Sequence, residues 1–254
     1  TPFHRSAVLI DTGGVITFER EAWQVRETAT TAGEKLVSII KAEGVKKLDR
    51  VFLTHADQDH VGSLRELAEG LPIDAVYFPK GAEGNAAFAA VLLELQSQHQ
   101  VGLFPLLGKV DLEIDADFVF HILAPLAPGE GGNEDSLVIQ TSIGGLDWLF
   151  TGDLGEEGEE VLMRTYPDLK TDVLKIGHHG SATSSSEGFL DHVQPELALI
   201  SAGKQNRYGH PDAQILERLE LRNIPIFRTD RQGAIHFLYG SEETEWRTIL
   251  ENKK

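Results

Sequence analysis

Short apolar runs alternate along this chain with longer stretches in which apolar residues recur at helical spacing. Ala7-Val8-Leu9-Ile10 has the length of a strand and stops at Asp11-Thr12-Gly13-Gly14, whose glycines permit a tight turn. Over 31–43, Leu36, Val37, Ile39 and Ile40 stand among charged residues, which predicts an amphipathic helix. The same reading predicts strands over 49–54 and 74–78, helices over 61–69 and 83–98, and paired strands over 110–113 and 117–123. A Pro- and Gly-rich loop at 125–135 precedes strands 136–143 and 146–151, joined at Gly144-Gly145. The second half repeats a strand-loop-helix rhythm: strand 172–176, helix 185–193, strand 197–201, helix 212–222, then strands 225–229 and 233–239. This order predicts an α/β fold of mixed sheets flanked by helices, with its chemistry at one strand-end face.

Composition narrows the picture. The 254 residues are 41% hydrophobic, enough for a substantial core. With no long Pro/Ser linker, repeat or low-complexity tract, 1–254 is expected to form a single domain. No apolar stretch approaches the ~20 residues that span a bilayer, and no charged-then-apolar signal opens the chain. The domain is therefore expected to be soluble, and monomeric. The absence of cysteine excludes disulfides and thiolate metal sites, so any metal must use nitrogen and oxygen ligands. A net charge of −17 argues against broad attraction to nucleic acid, though it leaves room for a local basic groove or for bound cations that invert the field.

The densest chemistry follows Val51-Phe52-Leu53, where His55, Asp57, Asp59 and His60 fall within six positions. A loop at a strand end can turn alternate side chains toward one point, and imidazole with carboxylate is the usual ligand set of catalytic zinc, manganese and iron. A solvated acidic turn is the plain alternative, but such a density of ligand-type residues is not ordinary turn chemistry. Asp153, in Phe150-Thr151-Gly152-Asp153, is either a carboxylate bridging two metals or an N-cap for a helix starting near 154. His178 and His179 follow another apolar strand between glycines; one can ligate metal while its neighbour orients a carboxylate or acts as a general acid. The tract Ser181–Ser186 offers a phosphate cradle at a helix N-terminus or plain capping of that helix. In Arg207-Tyr208-Gly209-His210-Pro211, His210 is a candidate ligand or a surface histidine, and Arg207 with Lys204 a candidate clamp for an anion. His4, His99, His121, His192 and His236 lack such partners and are read as structural or solvated.

In this order the motifs resemble the metallo-β-lactamase superfamily, with Asp11-Thr12-Gly13-Gly14 as the early strand-turn, His55-Ala-Asp57-Gln-Asp59-His60 as the signature loop and Thr151-Gly152-Asp153 as the bridging carboxylate. More narrowly, the chain is similar to the C-terminal domain of the ComEC family of DNA-uptake channel proteins. That resemblance rests on Thr54–His60, Asn133-Glu-Asp-Ser136, Lys175-Ile-Gly-His-His-Gly-Ser181, Asn206-Arg-Tyr-Gly-His-Pro211 and Arg228-Thr-Asp-Arg-Gln-Gly-Ala-Ile235. It implies a four-layer αββα sandwich of two mixed sheets flanked by helices, excised from a larger membrane protein and lacking its first strand. It also implies a nuclease that degrades the DNA strand not imported during natural transformation, in a cell-membrane protein whose domain lies outside the cytoplasm.

Two departures from the wider superfamily bear on the metal. Asp57 stands where a second histidine is usual, and Asn133-Glu134-Asp135-Ser136 where a third is usual, so Asn133 and Asp135, with Asp11, are expected near the site in structural roles. Oxygen in place of imidazole favours Mn²⁺, with Mg²⁺ or Zn²⁺ as the other candidates. The resulting scheme puts His55, Asp57 and Asp153 on one metal and Asp59, His60 and Asp153 on a second, with His178 or His210 as a further ligand. The two ions would sit about 3.5–4 Å apart and activate a bridging water, with Asp59 essential to them. His179 or His210 would protonate the leaving oxygen, and Lys175, Ser181, Lys204 and Arg207 would hold DNA, expected to be single-stranded. The alternatives are a hydrolase of another ester, lactone or thioester, and a DNA-binding or gating module whose catalysis is vestigial.

Overall fold

Val51-Phe52-Leu53 is apolar without alternation, as a strand buried on both faces requires, and all three residues are fully buried. In the computed structural model, which describes residues 6–14, 30–115, 118–204, 206–240 and 244–250, β2 (Leu48–Phe52) lies inside a parallel sheet. Its neighbours are β1 (Val8–Ile10) and β3 (Ile73–Pro79), and β4 (Gly102–Leu106) pairs with β3 at the edge. Leu9 aligns with Val51, Val51 with Val76, and Val76 with Leu103. Helix α1 (Ala32–Ala42) starts at a capping box, where Thr31 Oγ1 accepts from Glu34 N at 3.1 Å and Glu34 Oε2 from Thr31 N at 2.8 Å. The region read as one helix from 61 is two, α2 (Gln58–Val61) and α3 (Leu64–Gly70), interrupted at Gly62-Ser63. With α4 (Ala86–His99), these helices bury Val37, Leu64, Leu67, Leu92 and Leu95 against Val51 and Val76, at roughly 1.5–3 kcal/mol for each large side chain.

By its internal contacts the chain divides into two compact units, 1–108 with 125–137, and 109–124 with 138–254. The second unit is built on a seven-stranded sheet that is mixed, whereas the described strands of the first sheet are all parallel. Strands β5 (Val110–Asp115), β6 (Phe118–Ala124), β7 (Val138–Ile143) and β8 (Leu146–Phe150) form an antiparallel meander. Strands β9 (Val173–Lys175), β10 (Leu197–Ile200) and β11 (Ile226–Arg228) continue it in parallel from β8. Helices α5 (Glu156–Thr165), α6 (Glu187–Val193) and α7 (Ala213–Leu221) bury Leu162, Phe189, Leu190, Ile215 and Leu219 against Leu149, Leu174 and Ile200. The short α8 (Thr229–Gln232) and a hairpin of β12 (Ile235–Tyr239) and β13 (Thr244–Thr248) complete the unit, with Trp246 and Phe237 packed on Trp148 at ring-centroid distances of 5.4 and 5.3 Å. Among the described residues no helix is long and apolar enough to cross a membrane. His4 lies outside the described residues.

Candidate metal centre

In the first unit the loop after β2 buries His55 and His60, leaves Asp59 half-buried and exposes Asp57. Their rings lie 4.0 Å apart between centroids, and Asp57 Oδ2 is 3.7 Å from His55 Nε2. Asp11, at the end of β1, organises this loop. Its Oδ1 accepts from the Thr54 amide at 2.7 Å, and its Oδ2 meets both the Thr54 hydroxyl, at 2.9 Å, and His60 Nδ1, at 2.8 Å. A carboxylate facing Nδ1 fixes that nitrogen as the protonated one and leaves the lone pair of His60 on Nε2, the arrangement found around histidines that ligate metal. The turn that follows packs on α2: the Thr12 amide donates to His60 O at 2.8 Å, and a Cβ at Gly14 would fall 2.0 Å from Gln58 O.

The segment 129–137 braces the same loop from the other side. Asp135 Oδ2 accepts from the amides of Glu130, Gly131 and Gly132 at 2.8, 2.9 and 3.3 Å. Gly131 O then accepts from Ala56 N at 2.9 Å, and Thr54 O from Leu137 N at 2.8 Å. Asn133 begins a short 3-10 turn whose carbonyl receives the Ser136 amide.

In the second unit Asp153 follows β8 and is 2% exposed. Helix α5 begins beyond it, with Gly155 rather than Asp153 in the N-cap position, so capping does not account for this carboxylate. Its Oδ2 lies 3.7 Å from Nε2 of both His178 and His179. These two residues adopt left-handed backbone, φ 48° and 54°, a conformation that costs about 1–3 kcal/mol for each non-glycine residue and persists only where its surroundings enforce it. His179 Nδ1 donates to Ser201 O at 2.9 Å, which again leaves the lone pair on Nε2. His210 stands 5.9 Å from His178 between ring centroids, stacked against Tyr208. Burial, and then the nearby His178 and His179, lower its pKa, and its Nδ1 has no hydrogen-bond partner among the described residues. Asn206 holds the His210 backbone at both ends, accepting from its amide at 2.9 Å and donating to its carbonyl at 2.5 Å.

The residues 4–204 match the family model described as the metallo-beta-lactamase superfamily, most of the chain. The chain belongs to the metallo-β-lactamase superfamily. Its relatives include ComE operon protein 3 of Bacillus subtilis (strain 168), 40% identical over 94% of this chain and 31% of that protein. Competence protein ComA of Neisseria gonorrhoeae is 34% identical over 84% of this chain and 28% of that protein. Both are ComEC-type competence proteins, and the chain spans less than a third of the length of each. Among solved structures, CmlA, a diiron beta-hydroxylase from Streptomyces venezuelae, superimposes with a TM-score of 0.55 at 14% identity, over 83% of this chain and 46% of that one, a likeness of fold.

Within this superfamily member the residues expected to hold phosphate divide into two kinds. Lys204 and Arg207 are exposed. Lys175 instead turns its Nζ to Ile176 O at 2.9 Å, and Ser181 is buried with its hydroxyl 2.9 Å from that of Thr183. The Ser181–Ser186 tract is not an open cradle. The Ser185 and Ser186 amides both donate to the buried Glu159 carboxylate, and Ser186 Oγ caps the Phe189 amide. Thr54, Asn206 and Glu159 were not singled out from sequence; the first two lie inside the signature motifs, and Glu159 is one acid among several in α5.

Proposed function

We propose that this domain is a metal-dependent deoxyribonuclease, acting within a DNA-uptake channel of the cell membrane on the extracytoplasmic side and degrading the strand that is not imported. The observation that carries the reading is the preparation of the ligand histidines: His60 and His179 each commit Nδ1 to an oxygen acceptor, and each unit supplies a carboxylate, Asp59 and Asp153, of ligand type. In this proposal His55, Asp57 and Asp153 would hold one ion and Asp59, His60 and Asp153 the other, with His178 or His179 completing the set. Carboxylate outweighs imidazole in the loop position held by Asp57, and the chain has no thiol, which favours Mn²⁺. When bound, a pair of divalent ions supplies an activated water and stabilises charge developing at phosphorus.

The remaining groups position and move protons. Lys204 and Arg207 hold phosphates of the strand as charge-assisted hydrogen-bond donors. His210 delivers a proton to the leaving oxygen, and its lowered pKa makes its protonated form a readier donor. The likeness to a competence protein of Neisseria gonorrhoeae supports DNA over other esters.

The test is cleavage of single- and double-stranded DNA by metal-freed protein to which Mn²⁺, Mg²⁺ and Zn²⁺ are added one at a time, with a lactone as the competing substrate. Mn²⁺-dependent cleavage of single-stranded DNA is expected, abolished in Asp59→Ala. Faster lactone hydrolysis would move the assignment to another ester. Tight DNA binding with neither bound metal nor cleavage would make the domain a binding or gating module.

A further inference from the structure

We propose that Thr54 is a positioning residue whose single hydroxyl proton decides which nitrogen of His55 is presented to a metal. The inference rests on the metal-centre reading above for its consequence, but its structural content is independent of it. Thr54 is 1% exposed, and its Oγ1 lies among three groups: Asp11 Oδ2 at 2.9 Å, His55 Nδ1 at 3.1 Å and His60 Nδ1 at 3.2 Å.

A hydroxyl has one proton and two lone pairs, and an ionised carboxylate only accepts. His60 Nδ1 faces Asp11 Oδ2 at 2.8 Å, so it must carry a proton. Two arrangements remain for Thr54. If its proton went to His55 Nδ1, its oxygen would meet Asp11 Oδ2 lone pair against lone pair, and His55 would carry its proton on Nε2. If its proton goes to Asp11 Oδ2, His55 must donate from Nδ1 to Thr54 Oγ1, and every contact is satisfied. A buried polar contact left unmade is costly, so the second arrangement prevails. His55 and His60 then both carry the lone pair on Nε2, and one side chain passes the preference of Asp11 on to His55.

Thr54→Val and Thr54→Ser separate this role from packing. Valine keeps the shape and the backbone amide that binds Asp11 Oδ1, whereas serine keeps the hydroxyl. Ring ¹⁵N chemical shifts of His55 and His60 are to be read in metal-freed protein, at a pH where the imidazoles are neutral, beside Mn²⁺ affinity by calorimetry. Wild type and Thr54→Ser should show both histidines protonated on Nδ1. In Thr54→Val, His55 should move to the Nε2-protonated form while His60, held by Asp11, does not, and Mn²⁺ affinity should fall about 10- to 100-fold. His55 protonated on Nε2 in wild type, or unchanged in Thr54→Val, would overturn the proposal. The predicted tautomers in a protein that binds no Mn²⁺ would sustain Thr54's role and overturn the metal-centre reading instead.

Discussion

Glu159 places an acid in the interior of the second unit, where it ties α5 to the loop ahead of α6. It is 1% exposed and receives the amides of Ser185 and Ser186, while Arg218 on α7 donates to the carbonyls of Ala182, Ser184 and Ser185 in the same loop. Burial pushes its pKa up to about 7 from the ordinary 4.5, against the opposing pull of the Ser186 and Ser185 hydrogen bonds. A carboxyl that binds its proton more tightly when folded stabilises the fold fully below its unfolded pKa, and that contribution is lost as pH rises through the folded value. At 1.36 kcal/mol per pH unit, the interval from 4.5 to about 7 corresponds to about 3 kcal/mol. Glu159→Gln removes the titration. It also sets an amide NH₂ against a backbone N–H, a loss that does not vary with pH. Urea unfolding of both proteins, freed of metal, should therefore show wild type losing about 3 kcal/mol relative to Glu159→Gln between about pH 4.5 and pH 8. A difference that stays constant across that range would refute the argument from burial.

Other consequences are as direct. Gly180 has φ +88°, and a Cβ there would lie 2.6 Å from Pro211 Cβ, so Gly180→Ala should cost about 1–3 kcal/mol and lower the melting temperature; an unchanged melt would contradict the contact. Leu149 is fully buried in the core of the second unit, and Leu149→Ala should cost about 2–5 kcal/mol in denaturant unfolding, with a cost under about 1 kcal/mol contradicting that packing. Lys204→Ala and Arg207→Ala should each flatten the dependence of log affinity for single-stranded DNA on log salt by about 0.7; unchanged slopes would remove both from phosphate contact.

The strands and helices that carry the candidate ligands were legible because their patterns are strong: the apolar run Val51-Phe52-Leu53 at the end of β2, and 3.6-residue periodicity in α1 and α7. Strand β4 escaped because Gly102 and Pro105 are poor strand residues. An edge strand tolerates both, since it pairs on one side only. The helix read from 61 was shifted because the turn of α2 grows directly out of the ligand loop, which looked irregular in sequence. At the site, residue type and spacing marked His55, Asp57, Asp59, His60, Asp153 and His178 as candidate ligands and His179 as a candidate proton donor, and the family resemblance placed Asp11 near them, but the contacts that orient the histidines were not legible. Asp11 reaches His60 across 49 positions and Ser201 reaches His179 across 22, distances over which no local pattern operates. Ser181 and Lys175 drew a binding role from chemistry alone, and folding turned their polar atoms to Thr183 and to the backbone. Glu159 was hidden for the same reason: only the folded chain brings α5 under the amides of Ser185 and Ser186.

The central claim of the proposal is that this domain holds a pair of divalent ions, with Asp59 and Asp153 among their ligands. Elemental analysis after Mn²⁺ loading and removal of free metal tests it most directly, on wild type beside Asp59→Ala and Asp153→Ala. The account predicts about two Mn²⁺ per wild-type chain and a reduced content in each variant. Wild-type Mn²⁺ content in both variants would contradict it.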